Sequence, residues 1–315
     1  MKHNSHIYVA YKAIEFMYEG LYNLYYTSGN KVTGKKRTNL RREGKILERL
    51  MQFHKERVLE ASWAPDDILN DKIEYHTFKL FTDRDFADAA EYATETYERN
   101  GNSYYRARGC GGLAFKIDHL GKIINDIIKL RNYNDSYSME HIMFMFLLLS
   151  HYVVDAHVPM HCDIRDDKPT EKKPKEGIYY EEYDWHPKLE EEWEKACTYR
   201  GVIENVPGME NTDKYGKKND LAEYVEFNVN STADRKAIKT YVYDRRNLME
   251  HAIDICIKSK ERSLLLFDIA DPGDYDKELF KTMTREIVAD AIGCLISIWV
   301  CMWTVSYTHL TLPTN

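Results

Sequence analysis

The sequence predicts an all-α protein, one large helical domain. Two observations carry that prediction: apolar residues recur at spacings of three and four along nearly the whole chain, and strand alternation is hard to find. A third agrees, because only 15 Gly and 8 Pro among 315 residues leave few breaks, while 43% hydrophobic residues suffice for a core.

The helices follow in order. Ala10, Ile14, Met17 and Leu21 mark the first, and Leu47, Leu50 or Met51, and Val58 mark the second. Further helices are expected from about 85 to 99, 109 to 130, 138 to 156, 187 to 197, 233 to 266 with a break, and 274 to 305. Breaks fall at 63–71, 159–183 and 200–219, where Pro, Gly, Asp and Lys accumulate; all three read as loops within one domain. The stretch 165–177 reads as a solvated insertion.

Composition narrows the function classes. A net charge of −7 makes the surface as a whole repel polyanions, so nucleic acid or anionic lipid has to be met by a local feature such as a metal ion. The basic run from Lys31 to Lys45 opens a helix and reads as a solvated face. Six cysteines without a CxxC pair signal neither a zinc ribbon nor a disulfide framework and read as buried thiols. The first residues lack the apolar stretch of a secretory signal, so the chain as written is expected to be cytoplasmic. Residues 287–305 reach the length of a membrane span, but Asp290 interrupts them and they read as a buried final helix, so no transmembrane span is expected.

Chemistry concentrates in histidines that pair with carboxylates. In HYVVDAHVPMH, His151 and Asp155 lie four apart, on one helix face, and Pro159 then frees His161 from helical register. In WHPKLEEEWEK, His186 precedes a proline suited to the first helical position, and Glu190 follows four residues later. In ASWAPDDILNDKIEYHTF a loop offers Asp66, Asp67 and His76. Imidazole and carboxylate together suit zinc. Each pair alone has a bland alternative, a surface ion pair. The apolar run IMFMFLLL directly before His151 argues against it, because an unmatched Asp155 carried into a core is costly and a metal ion relieves that cost.

Five segments in order, NSHIYVAYKAIEFM, ASWAPDD, YHTF, HYVVDAHVPMH and WHPKLEEEWE, resemble the zinc-dependent phospholipases C of bacteria, which share their fold with zinc-dependent single-strand nucleases. The closing DAIGCLISIWVCMW resembles that family's last helix. The resemblance implies one zinc ion held by Asp66, His76, His151 and Asp155, and a second by His161, His186 and Glu190. It implies a third shared by Asp155 and His6, which the family completes with an N-terminal tryptophan. This sequence has no such tryptophan, which leaves three alternatives: Met1 supplies the amine, the true start lies upstream, or two zinc ions suffice; His3 is an outside candidate ligand.

The expected activity is zinc-dependent phosphodiester hydrolysis, with Asp66 orienting or deprotonating the attacking water. Phospholipid is the favoured substrate because the last ligand is Glu190 where the nucleases more often have Asp; a nuclease or nucleotidase and a non-catalytic metal-binding protein are the alternatives. Membrane contact would be peripheral and local to this domain, and the resemblance implies an extracellular protein if the start lies upstream. The tail VSYTHLTLPTN breaks the character of the preceding helix, so the functional domain is taken as 1–304 and 305–315 as a non-native tail. His54, His119, His141 and His251 are expected to carry no ligand role, and His157 to pack or line the site.

Overall fold

Apolar runs long enough to be hydrophobic all round have to lie in the middle of the molecule. Two such helices organise this protein, seen in a computed structural model that describes residues 3–26, 29–85, 88–134, 137–166, 185–197, 240–242, 247–267 and 277–308. Both are long and apolar enough to cross a membrane, yet their apolar windows are 72% and 83% buried within the protein. The expected final helix is therefore a core element.

The chain begins with α1 (His3–Glu15) and the short α2 (Met17–Gly20), followed by β1 (Leu24–Tyr26) and α3 (Gly34–Val58). A 3-10 turn (Leu59–Ser62) leads into α4 (Ala64–Asp67), and a second 3-10 turn spans Ile73–Tyr75. Next come α5 (Ala89–Tyr92), the hairpin β2 (Glu95–Arg99) and β3 (Asn102–Arg106), and then α6 (Leu113–Asn134), α7 (Met139–Ala156) and α8 (Pro159–Cys162). After α9 (Trp185–Cys197) follow β4 (Thr240–Val242), α10 (Leu248–Phe267) and α11 (Lys277–Thr308). The described residues are mostly helical, as expected.

The hub is α7. Ser138 caps its start by accepting from the backbone N–H of His141 at 3.1 Å, and Pro159 prevents its continuation two residues after His157. It packs against α1, α3, α6, α10 and α11. Phe146, Leu147, Leu149, Tyr152, Val153 and Val154 are buried on all sides. Trp299 of α11 donates its indole N–H to the Phe146 carbonyl at 3.2 Å, locking the two core helices together.

The structure departs from the helical expectation in two places. The segment expected as a helix from 85 to 99 holds only α5 and then the antiparallel β2–β3 hairpin, turned at Asn100 and Gly101 with φ of 51° and 78°. Asn-Gly in left-handed geometry is a hairpin signal, and the alternating burial of β2 shows the period-2 pattern. The segment expected as a helix from 233 contains β4, which pairs in parallel with β1 over Leu24–Tyr26 and Thr240–Val242.

The region around 165 also differs from its expected solvated character. Arg165 makes a salt bridge with Asp163 at 2.7 Å and with Asp85 at 3.1 Å, and Lys260 of α10 lies 2.9 Å from each carboxylate. Asp163 and Lys260 are wholly buried, so this cluster is an internal clamp between α10 and the chain leaving α8. Residues 167–184 and 200–219 lie outside the described residues. The basic run is a solvated face on which Lys36 and Arg41 stand 4.7 and 3.8 Å from the ring centres of Tyr26 and Tyr22. The last helix continues to Thr308, four residues past the expected break at 304.

Candidate metal centre

Four separate stretches of chain deliver side chains to one point. His6 comes from the middle of α1, Asp66 from α4, and His76 from the residue after the Ile73–Tyr75 turn. His151 and Asp155 sit one helical turn apart near the end of α7, His161 on α8, and His186 and Glu190 one turn apart at the start of α9. All eight predicted positions converge.

Asp66, His76 and His151 form one set, and Asp155 lies against two of its members. His76 Nδ1 lies 3.1 Å from His151 Nε2 and 3.5 Å from Asp66 Oδ1, and His151 Nε2 lies 3.4 Å from Asp66 Oδ1. Asp155 Oδ2 lies 2.9 Å from His76 Nδ1 and 3.2 Å from His151 Nε2. A tetrahedral ion with bonds of 2.0–2.1 Å has ligand–ligand edges of about 3.3 Å. The Asp66, His76 and His151 donors therefore outline one face of a site of zinc size, with Asp155 beside its two histidines.

Protonation favours the same reading. His151 Nδ1 faces the Ser62 carbonyl at 3.0 Å, and a carbonyl only accepts, so Nδ1 carries a hydrogen and Nε2 is the nitrogen that a cation would take in place of a proton. Burial works against charge on His151, but Asp155 and Asp66 outweigh it and raise its pKa to about 9. A proton on this ring and a divalent cation thus compete for the same carboxylates.

His161, His186 and Glu190 form a second set. His186 Nε2 lies 3.0 Å from His161 Nε2 and 3.0 Å from Glu190 Oε1, and His161 Nε2 lies 3.6 Å from Glu190 Oε1. These are three edges of one tetrahedral face, with the fourth corner supplied by none of the three. Burial opposes the charge on Glu190, but His161 and His186 hold its carboxyl far below the usual range.

Asp155 lies between the sets. Its Oδ2 faces His76 and His151, while its Oδ1 lies 3.4 Å from His6 Nε2 and 3.4 Å from His161 Nδ1, the ring nitrogen opposite the Nε2 that faces His186 and Glu190. Only 1% of Asp155 is exposed, and burial alone would neutralise it. Its carboxyl is nonetheless held well below the usual range, and His151, His161 and His6 are among the groups that lower it. His6 is buried and stacks on His151 with ring centres 4.0 Å apart, so its pKa falls to about 3 through burial and the neighbouring imidazole. It completes a third candidate set with His151 and Asp155.

Two neighbouring histidines stand outside the three sets. His157 Nδ1 bonds to the Val153 carbonyl at 2.7 Å and belongs to none of the three sets. His3 packs on Trp63, with ring centres 4.1 Å apart, and joins no set among the described residues.

The sequence reading missed several residues that hold the site. Glu194, one turn beyond Glu190, accepts from the backbone N–H groups of Asn4 and Ser5 at 3.0 and 3.2 Å and so ties α9 to the first turn of α1. Lys79, 4% exposed, donates from Nζ to the Met160 carbonyl at 2.6 Å. The backbone N–H groups of Phe78 and Leu80 bond to the carbonyls of His161 and Cys162, which fixes His161 beside the His76 segment. Glu194 had a signal, the continued i, i+4 spacing from His186 and Glu190. Lys79 had none.

A cleft of about 640 Å³ opens onto the centre, with Asp66, His76, Asp155, His161, His186 and Glu190 in its wall. Ile73, Lys79 and Gly111 complete other parts of the lining. Among the described residues the lining contains no Phe, Tyr or Trp.

No protein-family model and no curated protein matches the chain. Among solved structures, the alpha-toxin of Clostridium perfringens from an avian strain is similar at a TM-score of 0.48 and 14% identity, over all of this chain and 67% of that one.

Proposed function

We propose that this protein is a zinc-dependent phosphodiester hydrolase of the phospholipase C type, releasing diacylglycerol and a phosphorylated headgroup. The observation that carries the proposal is the meeting of two three-donor groups, Asp66, His76 and His151 and then His161, His186 and Glu190, with the buried Asp155 between them at the wall of an open cleft. Asp66, His76, His151 and Asp155 would hold one zinc ion and His161, His186 and Glu190 a second, with His6 and Asp155 the residues a third would use; zinc bound there would supply Lewis acidity and lower the pKa of water to about 7.

The chain's own residues supply the rest. Asp66 is the most exposed of the eight, with 47% of its side chain accessible, so its carboxylate meets solvent in the cleft and is the residue assigned to receive the proton of the attacking water. Asp155, His6 and His151 are closed off from water and act as fixed ligands that set geometry. Lys79 is the one cation among the described lining residues, and its ammonium is held by the Met160 carbonyl at 2.6 Å.

A nucleobase would need a stacking surface beside the site, and Glu190 as the last ligand, where the nucleases more often have Asp, is what favours a lipid headgroup. Purified protein supplied with zinc is expected to hydrolyse a chromogenic phosphodiester and phosphatidylcholine, and to leave single-stranded DNA intact. His151→Ala and Glu190→Ala should each abolish the hydrolysis. Turnover of DNA in preference to lipid would assign the protein to the nucleases, and zinc binding without any turnover would make it a non-catalytic binder.

A further inference from the structure

Isolated exposed aliphatic side chains are ordinary on a protein surface, but a group of them beside a cleft is not. The loop between Asp66 and His76 carries three: Ile68 is 66% exposed, Leu69 55% and Ile73 82%. Ile73 is also part of the cleft wall, so the group stands at the mouth of the metal centre.

These residues are not exposed through slackness. The N–H groups of Ile68 and Leu69 both bond to the Ala64 carbonyl, at 3.0 and 2.9 Å, and that of Asp71 to the Pro65 carbonyl at 3.0 Å. Asn70 adopts a left-handed φ of 45°, which reverses the chain between Leu69 and Asp71. The Asp71 carboxylate is held by Lys116 Nζ at 2.9 Å and by the Tyr152 hydroxyl at 2.5 Å. The loop is thus pinned to α6 and α7 with its apolar side chains held outward.

We propose that this loop seats the protein on a zwitterionic phospholipid surface, with Ile68, Leu69 and Ile73 entering the boundary between headgroups and acyl chains. The inference rests on the phospholipid reading of the cleft. Charge selects the kind of surface. Lys116 is matched by Asp71, and Lys72 lies 3.8 Å from Glu74, so neither ammonium offers an unmatched charge to anionic lipid, and the chain as a whole carries −7. Binding then comes from apolar burial and gains nothing from a polybasic attraction. A second copy is a poorer occupant, because a two-fold contact through the loop sets its Asp67 and Glu74 against themselves.

Sedimentation with phosphatidylcholine vesicles tests this, using full-length Glu190→Gln protein so that no lipid is consumed. Binding should be insensitive to added sodium chloride and unimproved by phosphatidylglycerol. Adding Ile68→Ser with Leu69→Ser should weaken it about tenfold or more, and adding Ile73→Ser should weaken it further. In the otherwise native chain, the double replacement should leave the unfolding midpoint and hydrolysis of a water-soluble phosphodiester unchanged. Failure to sediment, equal binding by the double variant, or dependence on anionic lipid overturns the proposal. So does a dimer of the native chain that becomes monomeric in the double variant. Loss of the hydrolytic reading would show separately, as native protein inert toward the soluble diester.

Discussion

Glu194 accepts the backbone N–H of Asn4 at 3.0 Å, joining positions 190 apart in sequence two residues from His6 and one turn from Glu190. The bond places a carboxylate at the open N-terminal end of α1, where unsatisfied N–H groups and the helix dipole favour negative charge. Glu194→Ala should lower stability by about 1 kcal/mol and weaken zinc binding while leaving all eight donors in place. Glu194→Gln should recover part of both losses. Thermal unfolding with metal titration measures both, and unchanged zinc affinity in the alanine variant would limit Glu194 to a stabilising role.

Metal removal should destabilise the protein more than loss of any surface feature. Asp155 and Glu190 are carboxylates packed against imidazoles, and a bound cation adds the full positive charge that a neutral ring lacks. A ligand present at 100 times its dissociation constant stabilises by about 2.7 kcal/mol, so chelation should lower the unfolding midpoint by several degrees. The chelator should have a smaller effect on His151→Ala, which lacks one donor of the first set. An equal shift in both proteins would show that the stabilising ion sits elsewhere.

Asp163 predicts the response to acid. Burial alone would raise its pKa, but Lys260 and Arg165 hold it well below the usual carboxylate range. A depressed folded value means that the unfolded chain binds the proton first. The stabilisation is therefore complete above the unfolded value of about 3.9 and is lost as pH falls toward the folded one. Asp163→Asn leaves Lys260 buried with one carboxylate fewer and should cost about 3 kcal/mol at neutral pH. Its unfolding should also depend less steeply on pH below 4 than that of the native chain, as chemical denaturation across that window would show.

Gly111 is a test of how the His76 segment is held. Its φ of 84° lies in the left-handed region, and a Cβ there would overlap the Thr77 carbonyl, one residue from His76. Gly111→Ala should destabilise by about 2 kcal/mol or more and reduce zinc content per chain, because relief of the clash displaces Thr77. Metal analysis of the purified variant checks this; full occupancy would mean that the segment adjusts without moving His76.

Much of the centre was readable in one dimension because helix geometry converts spacing into direction. His151 and Asp155 share a face of α7, as do His186 and Glu190 on α9, through their separation of four. Pro159 was a legible break, and the run before His151 marked a core helix. His6 was different: nothing in its own neighbourhood marks a ligand, and it was found only through the order of the five segments. The β2–β3 hairpin carried its Asn-Gly signal in plain view, but Ala89–Tyr92 and the apolar residues around it suggested a helix of the wrong length. The β1–β4 pair had no local signal, since a parallel bridge between residues 24–26 and 240–242 is a long-range event.

What the sequence determined by itself is therefore the helical class, the central position of α7 and α11, and the residues able to bind a cation. Which donors share a cage, that Asp155 faces two sets at once, that Glu194 caps α1 and that Lys79 stands in the cleft wall were decided only in three dimensions. The reason is that periodicity fixes where a side chain points relative to its own helix, whereas a distance between two helices depends on every residue packed between them.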